Sequence, residues 1–372
     1  ESEITLMKSD IISDVLEKWY EEGEEEFHML IESYSRSKSD LPVEELILSL
    51  YGFAMSNPWP KAWLANIRKS FDLQTLEDMN KTQWMKELLN YVSVVLDDLE
   101  LKNKEALEIC NEADGPSAYL PALLSDRQLL EQLKEETSYE GYSSAFTGIS
   151  YARLSSKKEE VSQEKKDRVK ALRDEVKKGI KELNAQFFFQ SPEEMLDDLK
   201  SVSLVMNILS ELTLDFMDSF ALRKEEKNLI DFNDLEHFAL NILVEEKDGE
   251  LIPTKAAREL SEQFDEILID EYQDSNLVQE TILKSISRES DGRYNRFMVG
   301  DVKQSIYKFR LAMPEIFIDK YKRYGTNDKD HEGNDNLTQR IDLDKNFRSR
   351  KVVLDFVNTI FEQIMTEAIG GV

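Results

Sequence analysis

Cysteine occurs once in the 372 residues, at Cys110, which excludes an internal disulfide framework and any zinc or iron–sulfur site needing several cysteines of this chain. That scarcity points to a reducing, cytoplasmic setting. Glycine is sparse too, with 13 residues against a usual share of about 7%. Prolines number 8. So little loop punctuation predicts a helix-rich chain. No run approaches the ~18 apolar residues of a membrane span, so no membrane partner is expected. No basic-then-apolar leader reads as a signal peptide. The chain opens on Glu1 rather than methionine, from which we expect a piece of a longer protein. The histidines, His28, His237 and His331, lie too far apart in sequence for metal-ligand spacing.

Charge is abundant and one-sided. With 75 acidic and 47 basic residues the net charge is −28, which taken alone disfavours nucleic acid, because phosphates repel an acidic surface. The distribution is uneven. Residues 1–50 hold 14 acids and 4 bases, whereas residues 293–325 hold 8 bases and 3 acids. A nucleic-acid site, if present, belongs on that second strip.

The length predicts about two to three domains. Through the first part, apolar residues recur every three or four positions and predict helices. Trp84, Leu88, Val92, Val95, Leu96 and Leu99 mark one over 81–108. Val169, Leu172, Val176, Ile180 and Leu183 mark another over 161–183, and Val205, Ile208, Leu209, Leu212, Phe216 and Phe220 a third over 201–223. Residues 139–157, rich in Ser, Tyr and Gly, are expected to form a loop or hinge. The four tryptophans (Trp19, Trp59, Trp63, Trp84) have acidic neighbours and read as packing residues rather than base-stacking platforms. The acidic run at 21–26 and the basic cluster Lys165, Lys166, Arg168 and Lys170 read as solvated helix faces, with a weak phosphate contact as the alternative for the basic cluster.

Near residue 225 the texture changes. Phe264 to Ile269 reads as a buried strand, Arg296 to Val299 as a second, and 337–343 as a weaker third, with helices expected over 254–264, 276–288 and 314–323. Strand–helix–strand alternation implies a parallel sheet, whose ligands sit at the carboxyl ends of the strands. Asp270 and Glu271 directly follow Ile269. One such acid can hold Mg2+, and its neighbour can orient or deprotonate a water. A bare Asp-Glu pair more often just ends a strand, but here the run continues as DEYQD. The second strand leads into VGDVKQSIYKFR. There Gln304 is a neutral group able to report a γ-phosphate. Tyr307 and Phe309 alternate with Lys303, Lys308 and Arg310, as in single-strand sites that stack bases and pair phosphates. Core packing of the two rings is the competing reading. LDKNFRS follows, where Arg348 either reaches a phosphate or forms a surface ion pair.

In this order, DEYQD, VGDVKQSIYKFR and LDKNFRS resemble motifs II, III and IV of the superfamily 1 DNA helicases of the UvrD/Rep/RecB type, and DFNDL at 231–235 resembles the segment preceding motif II. The lysine of GDVKQSIY and Phe309 in place of tryptophan resemble the branch of the RecB-type and AddAB-type helicase–nucleases, while FRLAMPEIF and the acidic helical first part with NPWPKAWL look most like the A subunits of the bacterial AddAB (RexAB) type. The resemblance implies an α/β fold, namely a partial RecA-like parallel-sheet motor domain (1A) with a large all-α insertion (1B). Residues 1–225 would be 1B-like, 226–336 the back half of 1A, and 337–372 motif IV and the start of 2A. It implies ATP and Mg2+ as cofactors. The partners it implies are single- and double-stranded DNA ends and an AddB/RexB-type subunit. Asp270 would ligate Mg2+, Glu271 act as general base, Gln304 and Arg348 contact the γ-phosphate, and Arg310 link DNA and nucleotide sites. Tyr307, Phe309, Lys303 and Lys308 would contact the translocating strand.

Departures from the family are equally specific. No G-x-x-x-x-G-K-[ST] occurs in the 372 residues, so this stretch by itself is expected to be inactive. The iron–sulfur cluster and nuclease of the family are expected only in other parts of such a protein. Leu311 stands where many relatives have glycine. A UvrD-type helicase without nuclease, or a non-catalytic DNA- or protein-interaction module, are the alternatives.

Overall fold

The computed structural model describes residues 2–35, 39–157, 160–247, 250–326 and 338–365; His331 and Leu337 lie outside them. The order of elements is α1 (Ser2–Glu22), α2 (Glu25–Tyr34), α3 (Leu41–Met55), α4 (Pro60–Ser70), α5 (Leu76–Lys81), α6 (Gln83–Asn111), α7 (Leu120–Lys134), α8 (Tyr139–Phe146), α9 (Gln163–Phe187) and α10 (Pro192–Lys227). Then follow α11 (Phe232–Leu243), β1 (Val244–Lys247), β2 (Glu250–Pro253), α12 (Lys255–Gln263), β3 (Ile267–Ile269), α13 (Leu277–Ser285), β4 (Arg296–Met298), α14 (Pro314–Arg323), β5 (Gly325–Thr326), β6 (Gln339–Arg340) and α15 (Lys351–Ile364). The chain is therefore mostly helical, with few and short strands. No helix among the described residues is long and apolar enough to cross a membrane.

The chain divides into two compact units, 69–204 and 1–68 with 205–372. The described residues of the first form helices and loops, with no strand among them. Thr82 and Ser162 cap the starts of α6 and α9 by accepting from Met85 and Lys165 amides. The expected apolar stripes meet there: Val92, Leu96 and Leu99 of α6 share one core with Val176, Ile180 and Leu183 of α9. Gly179 permits the close approach, since a Cβ at that position would come within 2.6 Å of Leu99 Cδ2. Inside the unit, Arg173 Nε and Nη2 clasp Asp126 at 2.5 and 3.1 Å, and Nη2 also donates to the Ala152 carbonyl at 2.6 Å. The loop expected over 139–157 is corrected in its first half, which is α8. Ser138 caps it, and Tyr139, Tyr142 and Phe146 are buried against Phe188. That i, i+3, i+7 apolar face outweighs the Ser and Gly content.

In the second unit, α1, α2, α3 and the 205–227 part of α10 bury Ile11, Ile12, Phe27, Leu30, Val43, Ile47, Leu212, Phe216 and Phe220. Each full burial is worth roughly 1.5–3 kcal/mol. Trp19 is buried there and its indole N–H donates to Asp215 at 3.0 Å. The third strand expected over 337–343 is reduced to β6, which pairs in parallel with β5, and not with β3 or β4. An antiparallel β1–β2 pair was not anticipated, because its Glu- and Lys-rich sequence carries no apolar alternation. β3 and β4 pair in parallel, Ile267 opposite Arg296 and Leu268 opposite Phe297, with α13 between them in sequence. Leu268 and Phe297 are both exposed, as are Phe232, Leu235, Phe238 and Ile242 of α11 and Val352, Phe356 and Ile360 of α15.

Candidate active site

β3 ends at Ile269, and the chain then turns sharply. Glu271 has φ 50° and ψ 44°, the left-handed region, and begins a short 3-10 turn over Tyr272–Asp274. A non-glycine residue there costs about 1–2 kcal/mol. The Val299 carbonyl accepts from the Tyr272 amide at 2.9 Å, and the Val299 amide donates to the Ile269 carbonyl at 2.8 Å, so the parallel pairing continues into the turn. Asp270 and Glu271 are both exposed at the carboxyl end of the strand, and Asp270 Oδ1 accepts from the Glu271 amide at 2.9 Å.

Beneath the turn, Tyr272 is fully buried and its hydroxyl donates to Glu280 Oε2. Arg296 of β4 and Lys320 of α14 converge on the same carboxylate, at 3.0 and 2.8 Å, and Arg296 also reaches Glu289. Burial raises the Glu280 carboxyl, but Arg296, Lys320 and the Tyr272 hydroxyl outweigh it and leave it below the ordinary value. Burial and the Glu280 hydrogen bond push the Tyr272 phenol well up. The acidic turn therefore rests on a satisfied ionic bed linking α13, β4 and α14.

β4 exits through Gly300, whose added Cβ would lie 2.5 Å from Gln273 Oε1 and 3.0 Å from Phe317. Only glycine fits this crossing. Asp301 then organises the next turn: its carboxylate accepts from the Lys303 amide at 3.0 Å and from Gln304 Nε2 at 3.1 Å. Gln304 also lines an open cleft of about 770 Å³ with Leu343, Lys345, Asn346, Phe347 and Arg348. Asn346 shapes that last segment by accepting from the Arg348 and Ser349 amides. Asp270 and Glu271 do not line the cleft. Glu271 connects to it through Gln273 and Asp301, two residues for which the sequence suggested no role. Gln273 is 1% exposed, and its amide spans Glu271 Oε2 at 2.7 Å and the Asp301 N–H at 3.0 Å. Its position two residues beyond Glu271 was the available signal.

Tyr307 and Phe309 are not core residues. Both are exposed, Phe309 at 75%, with ring centroids 5.8 Å apart. The Arg310 guanidinium lies 5.2 and 5.6 Å from the two ring centres. Lys303 and Lys308 are exposed beside them. Leu311 adopts φ 62°, the conformation a glycine would take without strain. Of the basic cluster on α9, Lys165 pairs with Asp114 and Glu112 and Arg168 with Glu105, and His237 Nε2 meets the Met55 carbonyl at 3.0 Å.

Among the described residues no cluster of three or more His, Cys, Asp or Glu could hold a metal by itself. A single exposed carboxylate such as Asp270 suits Mg2+, which is commonly held by one or two carboxylates together with phosphate oxygens and water.

Comparison with known proteins places these observations. A family profile of the UvrD/REP helicase N-terminal domain matches residues 63–325. The A subunit of the ATP-dependent helicase/nuclease of Lachnoclostridium phytofermentans is 52% identical over all of this chain, which covers 27% of that protein. Proteins of the same name from Clostridium beijerinckii and Oceanobacillus iheyensis are 40% and 39% identical over all of the chain, which covers 30% of each. The chain thus spans under a third of the length of these curated relatives.

Proposed function

The chain belongs to the UvrD/REP helicase family, and on that premise we propose that it forms part of the A subunit of an ATP-dependent helicase–nuclease that unwinds and processes DNA ends, working with a partner subunit. The observation that carries this reading is the hydrogen-bonded line from Glu271 through Gln273 and Asp301 to Gln304, at the carboxyl end of the parallel β3–β4 pair. The relatives' shared name favours a helicase–nuclease over a plain helicase.

In this reading residues 1–225 form a 1B-like insertion, 226–336 the back half of motor domain 1A and 337–372 the beginning of 2A. Asp270 would hold Mg2+, and ATP with Mg2+ supplies the triphosphate and its charge neutralisation. Glu271 accepts the proton of the attacking water. Gln304 contacts the γ-phosphate from the motif III turn, and Arg348, across the same cleft, presents a guanidinium that can pair bidentately with phosphate. Arg310 links the nucleotide site to the nucleic-acid surface. On that surface Tyr307 and Phe309 stack against bases while Lys303 and Lys308 meet phosphates.

The test is Glu271→Gln in the full-length protein. Removing the base while keeping the volume should lower DNA-stimulated ATP turnover at least 100-fold and leave nucleotide binding intact. Turnover close to wild type would overturn the assignment.

A further inference from the structure

Gln273 is a buried amide whose two ends meet two different motifs. Its NH2 donates to Glu271 Oε2 at 2.7 Å, and its carbonyl oxygen accepts from the Asp301 backbone N–H at 3.0 Å. The orientation of the amide follows from its partners: an N–H needs an acceptor and a carboxylate needs a donor, so the flipped amide would lose both bonds. Glu271 itself stands on a left-handed backbone, with an exposed side chain that other residues must aim. The opposite wall is closely packed against it. Gly300 brings the β4 exit so close that a Cβ would strike Gln273 Oε1 at 2.5 Å, and Asp301 in turn holds Gln304 and the Lys303 amide.

We propose that Gln273 is a positioning residue that locks the Glu271 carboxylate to the motif III turn, so that movement of Gln304 and Asp301 shifts the base. The inference rests on the functional reading above. It gives the turn carrying Tyr307 and Phe309 a physical route to the hydrolytic carboxylate that needs only three hydrogen bonds. When Asp301 moves, the Gln273 amide must follow it or lose the N–H that its carbonyl oxygen accepts from, and if it follows, Glu271 loses its donor. A displacement of about 1 Å at such a group can cost about 100-fold in rate.

Gln273→Met keeps length and removes both bonds. Gln273→Glu, assayed over a pH series to alkaline values at which both carboxyls are ionised, keeps an oxygen for the Asp301 N–H and removes the donor to Glu271. Both are made in the full-length protein, beside Glu271→Gln and the double variant Glu271→Gln with Gln273→Met. Without nucleotide, hydrogen exchange over 300–304 should quicken in Gln273→Met and remain as wild type in Gln273→Glu. Both variants should lose 10- to 100-fold in DNA-stimulated kcat with the KM for ATP within twofold of wild type. The double variant should turn over no more slowly than Glu271→Gln alone, because the amide acts through that carboxylate. Wild-type kcat in a folded Gln273→Glu overturns the proposal, as does a further loss in the double variant. Parallel loss of kcat and nucleotide binding in Gln273→Glu marks a merely structural amide and also overturns it. Full activity of Glu271→Gln would instead bring down the functional reading itself.

Discussion

At the scale of single residues, the structure concentrates its strain and its buried charge in few places. Among the described non-glycine residues, Asn228, Glu271 and Leu311 have left-handed backbones, the last two in the turns after β3 and β4, with φ 50° and 62°. The most deeply buried ion pair among the described residues is Arg173–Asp126, 3% and 2% exposed. Asp126→Ala would leave a buried guanidinium without its partner, a loss of about 3–5 kcal/mol. Urea unfolding should register it as an earlier transition, and replacing both residues by apolar ones should recover most of the loss. A midpoint unchanged by Asp126→Ala would contradict that account. That acids, an amide and two aromatics follow the apolar runs in exposed turns was legible in the sequence, because DEYQD and VGDVKQSIYKFR place them directly after those runs. The link between Gln273 and Asp301 was not legible, since it joins positions 28 residues apart and no periodicity reports such a contact.

At the scale of elements, the ionic bed under the acidic turn decides how α13, β4 and α14 respond to acid. Glu280 is held below its ordinary value near 4.5 by Arg296, Lys320 and Tyr272, against the opposing effect of burial. A depressed carboxyl contributes stability that is complete above the unfolded value and is lost as the pH falls through the folded one. Unfolding free energy measured from neutral pH downward should therefore fall below about pH 4.5, and in Glu280→Gln that decline should be shallower, starting from a lower plateau. A parallel decline in the two proteins would rule out Glu280 as a source. The long helices were readable from their stripes, as α6 and α9 show. α8 was hidden because Ser and Gly surround its three aromatic residues. The β1–β2 pair was hidden because Val244-Glu245-Glu246-Lys247 lacks any apolar pattern.

At the scale of the whole molecule, net charge and local charge pull in opposite directions. A protein of −28 can hold nucleic acid only where cations gather, and Lys303, Lys308 and Arg310 stand exposed beside two open rings. Each lysine–phosphate contact to a single strand contributes about 0.7 to the slope of log affinity against log salt. In the full-length protein, Lys303→Ala with Lys308→Ala should flatten that slope by about 1.4, whereas Tyr307→Ala with Phe309→Ala should weaken binding and leave the slope alone. An unchanged slope in the lysine variant would place the phosphates elsewhere. The composition foretold a helix-rich chain, while the division into 69–204 and the remainder depends on which helices meet, which no local pattern encodes. The bare Leu268–Phe297 ladder and the uncovered stripe of α15 bear on synthesis itself. A ribosome releasing this stretch presents sticky surface for as long as nothing masks it, and such a nascent chain is a natural client for chaperones.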